Sequence, residues 1–209
     1  MGSPPRDLTT GERQCWIDLP FFEAILDLIR GRSDVQVTFD DSNESDHAIA
    51  LPALIARNMV AKFFVVAQRV DQNGYLSKGQ LEALVSVGMT IGNHGMRHRC
   101  WTKLNDRDLH EELVEAKDRL EQITQTRVSE AACPFGSYDR RVLRALRNLS
   151  YTRVYTSDGG PVCVDSVIQP RNTVLWTHDV PQIERIIGSV PHGLHKTWRN
   201  VKLTLKQWR

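Results

Sequence analysis

Four side chains in this sequence have the types and the spacing of a metal-assisted hydrolytic site. Asp40 and Asp41 directly follow an apolar segment, and His94 and His98 stand four residues apart. Two imidazoles at that spacing can face one side of a helical turn and bind the same metal ion. With Asp41 as third ligand, coordination positions stay open for water and substrate, as a catalytic metal requires. Asp40 would lie close to that water and could act as general base.

Each pair, taken alone, also has a plainer interpretation. Asp40 and Asp41 could be charged turn residues where a strand meets solvent, because polar turn formers follow at once. Neighbouring strand residues point to opposite faces, so both carboxylates can serve one site only if the chain turns at Asp41. His98 stands between two arginines and could belong to a solvated basic turn.

The elements that must position these residues alternate between strand and helix. The predicted strands are Val35–Asp41, Ala61–Ala67, Met89–Asn93, Ala131–Phe135, Val154–Thr156 and Val174–Trp176. The predicted helices are Phe21–Arg30, Asp46–Asn58, one opened by the Ser77–Gln80 capping box, Asn105–Thr124, one capped by Asp139, and Val180–Ile187. Met1–Leu19 is expected to be an irregular lead-in. The alternation predicts parallel βα units in a barrel or a doubly wound sheet, whose strands deliver functional residues at their carboxyl ends.

Composition narrows the class of protein. The 209 residues, 41% hydrophobic and 25% charged, are typical of one soluble domain. A net charge of +2 is too small to argue for a nucleic-acid partner. No apolar run approaches a membrane span, and the polar start has no secretory signal, so a cytoplasmic location is expected. The four cysteines show no Cys-x-x-Cys pairing and are expected to be reduced thiols.

Three ordered motifs resemble the polysaccharide deacetylase family with its NodB-like domain. Val37–Asp41 resembles the opening motif, with Ser42 where glycine is usual, and Ile91–His98 resembles the His-x-x-x-His motif. Pro134–Asp139 resembles the third motif, Arg-x-Pro-x-Gly. The resemblance implies a distorted or incomplete (β/α) barrel. We therefore expect a 1–34 lead-in and helix, a 35–190 catalytic domain and a 191–209 tail.

The resemblance also implies a mechanism. Asp40 would be the base, while Asp41, His94 and His98 would bind a divalent metal, most often zinc. Metal-bound water would attack an N-acetyl or O-acetyl group on a saccharide. The backbone N–H of Phe135 would help to hold the oxyanion, in a loop shaped by Pro134 and Gly136.

Two departures from the family pattern stand out. Ala132 occupies the position of the third motif's arginine, which orients the base, so another group must hold Asp40. Arg171 is a candidate, although a surface arginine near a strand is the plainer interpretation. The last motif, Leu-x-His-Asp, has its counterpart in Trp176–Asp179, which makes His178 the candidate general acid. Alternatively, Asp179 is only a helix N-cap and His178 a loop residue.

Two further alternatives stay open at this stage. The tail from Leu194 to Arg209 has apolar residues at helical spacing and basic residues between them, so it could contact an anionic membrane or pack against the barrel. The protein could also be a carbohydrate-binding or scaffold protein that keeps the fold without hydrolysis. The intact set of base and metal ligands favours the enzyme.

Overall fold

Six parallel strands form one sheet in the order β1-β2-β3-β4-β5-β6, in a computed structural model that describes residues 1–4, 6–163 and 165–188. The strands are β1 (Val37–Asp40), β2 (Ala61–Val65), β3 (Thr90–Asn93), β4 (Glu130–Ala132), β5 (Arg153–Thr156) and β6 (Ile168–Pro170). Spatial order follows chain order, so each crossover steps one strand further in the same direction. This is the curled half-barrel that the sequence predicts.

Helices supply the crossovers and cover the outer face of the sheet. They are α1 (Thr10–Cys15), α2 (Leu19–Ile29), α3 (Leu51–Ile55), α4 (Lys78–Ser86), α5 (Asp106–His110), α6 (Ala116–Thr124), α7 (Arg140–Asn148) and α8 (Val180–Gly188). π-Helical turns precede α3 (Asp46–Ala50) and join α5 to α6 (Glu111–Glu115). The capping residues predicted from sequence, Ser77 and Asp139, accept hydrogen bonds from Gln80 and Val142 N–H.

An arginine joins the two edges of the sheet. β1 and β6 lie at opposite edges, yet Arg171, directly after β6, donates to Thr38 Oγ1 at 3.0 Å and to both oxygens of Asp40 at 2.7 Å. The helices α2 and α8 also contact each other across these edges. The sheet therefore curls until its two edges face each other. They are joined by the ion pair between Arg171 and Asp40, and not by backbone hydrogen bonds between β1 and β6.

Two element predictions were wrong, and one strand was not predicted. Val174–Trp176 is not a strand: Trp176 N–H donates to Gln14 O, and the chain turns so that His178 N–H donates to Leu175 O. The last strand is Ile168–Pro170, whose proline is tolerated because β6 is an edge strand. The lead-in contains α1, which is capped by a Thr9–Glu12 capping box.

The fourth strand is also shorter than predicted. It ends at Ala132, and Pro134, which has no N–H for a ladder, begins a 3₁₀ turn. The predicted 191–209 tail lies outside the described residues. Within the described part of the chain, no helix is long and apolar enough to cross a membrane. All four cysteines are free thiols, as expected.

Candidate active site

The ends of β1 and β3 bring three ligand-type side chains together. One ligand atom from each of Asp41, His94 and His98 lies within 4.8 Å of the others. The turn that the sequence requires at Asp41 is present: Asp41 (φ 77°) and Ser42 (φ 63°) both adopt left-handed conformations. His98 is left-handed too, with φ 58°. Such backbone is uncommon for residues with a Cβ, so the loop geometry is specific to placing these side chains.

Neighbouring groups fix both imidazoles. Nδ1 of buried His94 lies 2.8 Å from Ala132 O, and a carbonyl only accepts, so Nδ1 carries a proton and Nε2 is the nitrogen whose lone pair the neutral ring can offer to a metal. Nε2 of His98 lies 3.4 Å from Asp41 Oδ1. Burial and the adjacent His94 lower the pKa of His98 to about 4, against the opposing effect of Asp41. His98 is therefore neutral near pH 7, the state in which imidazole binds metal.

The donor set fits a divalent metal ion. Two imidazoles and one carboxylate are the ligands of catalytic zinc sites, in which a fourth position takes water or substrate. The contact between His94 and Ala132 O is the outer-shell hydrogen bond that usually orients a metal-binding histidine. Arg69 donates to Asp41 Oδ1 at 2.8 Å and to its backbone carbonyl at 3.2 Å, which fixes the third ligand. We therefore describe this cluster as a candidate metal site.

Arg171 holds Asp40 in place of the arginine missing at position 132. Two parallel hydrogen bonds of 2.7 Å join the guanidinium to the two carboxylate oxygens, the strong bidentate geometry of this pair. Burial raises the pKa of Asp40, but the positive Arg171 and the neighbouring His94 outweigh it and hold the pKa at about 2. Asp40 is thus ionised at neutral pH, with Oδ2 3.8 Å from His94 Nε2.

The small side chain of Ala132 leaves room for Arg171 to reach Asp40. It packs in an inner cluster with Phe64 and Tyr155. The guanidinium carbon of Arg171 lies 5.3 Å and 5.7 Å from the centres of those two rings. An arginine side chain at position 132 would compete for the same space. The site therefore takes its arginine from the far edge of the sheet, and it keeps position 132 small.

The predicted oxyanion loop lies beside the cluster. Pro134–Gly136 forms a 3₁₀ turn in which Phe135 is left-handed (φ 58°, ψ 16°). The exposed Phe135 ring lies 4.6 Å from the His98 ring, centre to centre. Gly136 has φ 62°, and a Cβ there would lie 2.8 Å from Ser157 Cβ, so the turn requires glycine. The loop is next to the metal ligands, and the role of the Phe135 amide stays a prediction.

His178 lies in a different setting. Its Nδ1 accepts the Leu175 N–H at 3.2 Å, and its side chain lines a pocket with Trp16 and Trp176. Among the described residues, no hydrogen bond or ion pair joins it to Asp40 or to the metal cluster. Asp179 caps α8 by accepting from Gln182 N–H at 2.8 Å, the alternative that the sequence left open.

Sequence reasoning missed the support behind the two histidines. The π-helical turn Glu111–Glu115 frees carbonyls from the regular helical pattern, and the side chain of Asn93, the last residue of β3, donates to Glu112 O at 3.1 Å. Asn93 also accepts from Gly95 N–H at 2.7 Å. One buried amide thus ties the helix to the backbone on either side of His94.

Glu112 anchors the rest of the loop. Its side chain is fully buried, and it accepts from Arg97 N–H, from Arg99 Nε at 2.9 Å and from Trp101 Nε1. Gly95 is left-handed, and a Cβ there would collide with the Glu112 carboxylate. The loop that carries His98 therefore wraps around one buried acid. A glutamate in a helix gives no sequence signal of this role; its burial in the fold reveals it.

We expect Glu112→Ala to destabilise the protein by about 2–3 kcal/mol, because it leaves the Nε1–H of buried Trp101 and the Arg97 N–H without their acceptor. The matched control is Glu111→Ala, which removes a half-exposed partner of Arg99 and should cost less than about 1 kcal/mol. Urea unfolding of the two variants measures the difference. Equal losses would show that the burial of Glu112 has no special role.

Comparison with known proteins identifies the protein family to which this chain belongs. The profile of the polysaccharide deacetylase family matches residues 29–154, more than half of the chain. The chain therefore belongs to the polysaccharide deacetylase family, a family of carbohydrate esterases. Arg171, His178 and the pocket around Trp176 lie beyond the matched residues.

Individual relatives share the family and the fold. YxkH of Bacillus subtilis (strain 168), named for the same family, is 22% identical over 131 residues, which are 63% of this chain and 47% of YxkH. The chain thus spans about half the length of this curated relative. Polysaccharide deacetylase BC0361 of Bacillus cereus is similar with a TM-score of 0.75 and 22% identity, over 87% of this chain and 66% of that one.

The deacetylase PplD of Streptococcus pyogenes, solved with acetate, is similar in fold over nearly its whole length. The TM-score is 0.77 at 16% identity, and the similarity covers 87% of this chain and 93% of PplD. At these identities the likeness establishes the half-barrel fold, and the chemistry has to be argued from the side chains.

Proposed function

We propose that this protein is a metal-dependent hydrolase that removes the acetyl group from an N-acetylated or O-acetylated saccharide. The observation that carries the proposal is the convergence of three metal-ligand side chains beside an ionised carboxylate that a bidentate arginine holds. Membership of the polysaccharide deacetylase family supports the same chemistry. The nitrogen-rich donor set favours zinc.

Each of the chain's residues has a separate task in this proposal. A metal bound by Asp41, His94 and His98 would supply Lewis acidity, which polarises an acetyl carbonyl and lowers the pKa of water. Asp40, which is ionised and held by Arg171, takes the proton of the water that attacks the carbonyl carbon. The Phe135 N–H donates to the oxygen on which negative charge develops. The bond from that carbon to nitrogen or oxygen then breaks, and acetate leaves.

We propose His178 as the donor of the proton to the departing nitrogen or oxygen. Only the imidazolium form of His178 can give up this proton, so in this role Nδ1 is also protonated, the Leu175 N–H no longer donates to it, and Nε2 faces the substrate. We expect His178→Ala to lower kcat on an amide substrate about 100-fold or more, with much less effect on an acetyl ester of a phenol, whose leaving group needs no proton. Equal losses on both substrates would remove His178 from this role.

The proposed function is tested by measuring acetate released from a panel of N-acetylated and O-acetylated oligosaccharides. Detection of free amines in the same samples separates amide from ester cleavage. Zinc-dependent release from at least one glycan is expected. Tight metal binding without release from any saccharide, combined with saccharide binding, would favour the alternative of a carbohydrate-binding protein that keeps the fold.

A further inference from the structure

A pocket of about 500 Å³ lies between the beginnings of α2 and α8. Its walls include three aromatic side chains, Trp16, Phe21 and Trp176, and two carboxylates, Asp18 and Asp179. The volume is in the usual range for small-ligand sites, which combine apolar walls with a few polar groups. His178, the proposed proton donor, also lines this pocket, so a sugar ring bound there would lie next to the group that leaves. Both lining segments lie outside the residues that match the family profile.

The two tryptophans differ in how they are held. Trp16 is half-buried, and its Nε1–H donates to Gly2 O at 2.6 Å, which fixes the indole. Trp176 is anchored by its backbone, through the N–H bond to Gln14 O at 3.0 Å, while its residue remains 62% exposed. A large aromatic ring fixed at its base but open to solvent is a ready platform for a ligand.

The polar groups of the pocket are hydrogen-bond acceptors. Asp18 and Asp179 each use one oxygen to cap a helix, at 2.8 Å in both cases. Within the described part of the chain, no side chain pairs with the other oxygen of either carboxylate. Hydroxyl groups would suit these acceptors, whereas an anionic ligand would be repelled. The C–H face of a pyranose ring in turn suits the electron-rich face of an indole.

The pocket is close to the reaction centre. Gln14 and Trp16, which contact or line it, flank Cys15 in the chain. Arg6, which pairs with Glu12 of α1, also donates to Asn43 Oδ1 at 3.0 Å, so this segment lies beside the loop that follows Asp41. Arg171, which donates two hydrogen bonds to Asp40, precedes Trp176 by five residues. The Cα atoms of Arg171 and Trp176 are therefore at most about 18 Å apart. An oligosaccharide can span that distance.

We propose that the pocket formed by Trp16 and Trp176 is a saccharide subsite, which binds a sugar ring of the substrate glycan other than the ring that is deacetylated. The inference rests on the proposed function for the identity of the glycan. The occupant is a neutral or hydroxyl-rich pyranose stacked on Trp176, with hydroxyls donating to Asp18 and Asp179. The subsite would make longer glycans better substrates than single sugars.

Kinetics on two substrate lengths test the subsite. We expect Trp176→Ala to raise KM for an N-acetylated pentasaccharide about 5- to 10-fold with little change in kcat, and Trp176→Phe to restore part of the loss. Hydrolysis of the N-acetylated monosaccharide should be unchanged. Ile55→Ala removes another exposed apolar side chain, far from the pocket in sequence, and is the control. An unchanged KM for the pentasaccharide, or an equal change for both substrates, would overturn the proposal.

A binding measurement separates the subsite from the catalytic proposal. Titration of the pentasaccharide into zinc-loaded Asp40→Asn protein should change tryptophan fluorescence, and Trp176→Ala in that background should weaken binding about 5- to 10-fold. The subsite stands and the catalytic proposal fails if binding depends on Trp176 while the wild type releases no acetate. If the wild type releases acetate but Trp176→Ala binds the pentasaccharide as tightly as its parent, the catalytic proposal is kept and the subsite proposal is wrong.

Discussion

Asp40→Asn is expected to lower kcat for acetate release by about 100- to 10,000-fold, the usual contribution of a general base. The amide keeps the size of the side chain but cannot take a proton from water. Zinc affinity should stay within a few-fold of wild type, because the metal ligands are the neighbouring Asp41 and the two histidines. Acetate assays and zinc titration of the same preparation measure the two quantities separately.

Folding needs its own control, because Asp40→Asn leaves the half-buried charge of Arg171 without a counter-charge. We expect a loss of about 1–3 kcal/mol in unfolding free energy. The double variant Asp40→Asn with Arg171→Gln should recover part of that stability and none of the activity. If activity returned with stability, Asp40 would be a structural partner of Arg171 rather than the base.

If Arg171 positions Asp40, substitution of Arg171 alone should lower kcat less than Asp40→Asn does. Arg171→Ala should lower kcat up to about 100-fold, as small misplacements of a reacting group do, while zinc affinity is kept. Arg171→Lys should recover only a part, because an ammonium cannot form the bidentate pair. Full activity in Arg171→Ala would show that the base needs no positioning.

His94→Ala is expected to weaken zinc binding more than about 100-fold, since even outer-shell partners of metal ligands are worth about 10- to 100-fold. Acetate release at limiting zinc should fall with it. Stabilisation by zinc, about 2.7 kcal/mol at a concentration 100 times the dissociation constant, should vanish in the variant. The variant also removes the buried partner of Ala132 O, so the unfolding curve without metal serves as its baseline.

His110→Ala is the matched control for His94→Ala. It removes an imidazole that lies at the surface beside Glu115, at 3.8 Å, and outside the metal cluster. Its zinc affinity and activity should equal those of the wild type. Zinc binding that survives in His94→Ala, or that is lost equally in both variants, would place the metal elsewhere.

The candidate metal ligands could be identified in the sequence because their signal is local. Asp41 directly follows a predicted strand, and the four-residue spacing of His94 and His98 is visible in the sequence itself. The alternation of strand and helix predicted a parallel sheet, and the resemblance to the deacetylase family implied an incomplete barrel. The burial of Ala61 and of Phe63, Phe64 and Val65 in β2 follows from their apolar side chains, while Lys62 is only partly buried.

The parts of the site and fold that the sequence did not reveal depend on contacts between segments that are distant in the chain. Arg171 and Asp40 are 131 residues apart, and they meet only because the sheet curls until its edges face each other. The π-helical turn that supports His94 through Asn93 has no signature in the sequence. β6 was missed because Val174–Trp176 is more apolar than Ile168–Pro170, although the hydrogen bonds of Trp176 N–H to Gln14 O and of His178 N–H to Leu175 O keep that segment out of the sheet.

Zinc add-back tests whether Asp41, His94 and His98 hold a metal that enables hydrolysis of a saccharide acetyl group. Metal-stripped protein is titrated with zinc while acetate release from an acetylated oligosaccharide is measured. We expect no release without metal and, on adding zinc, a rise in release that saturates at one zinc per chain and is absent in His94→Ala. Equal release from metal-stripped and zinc-loaded protein would contradict this expectation.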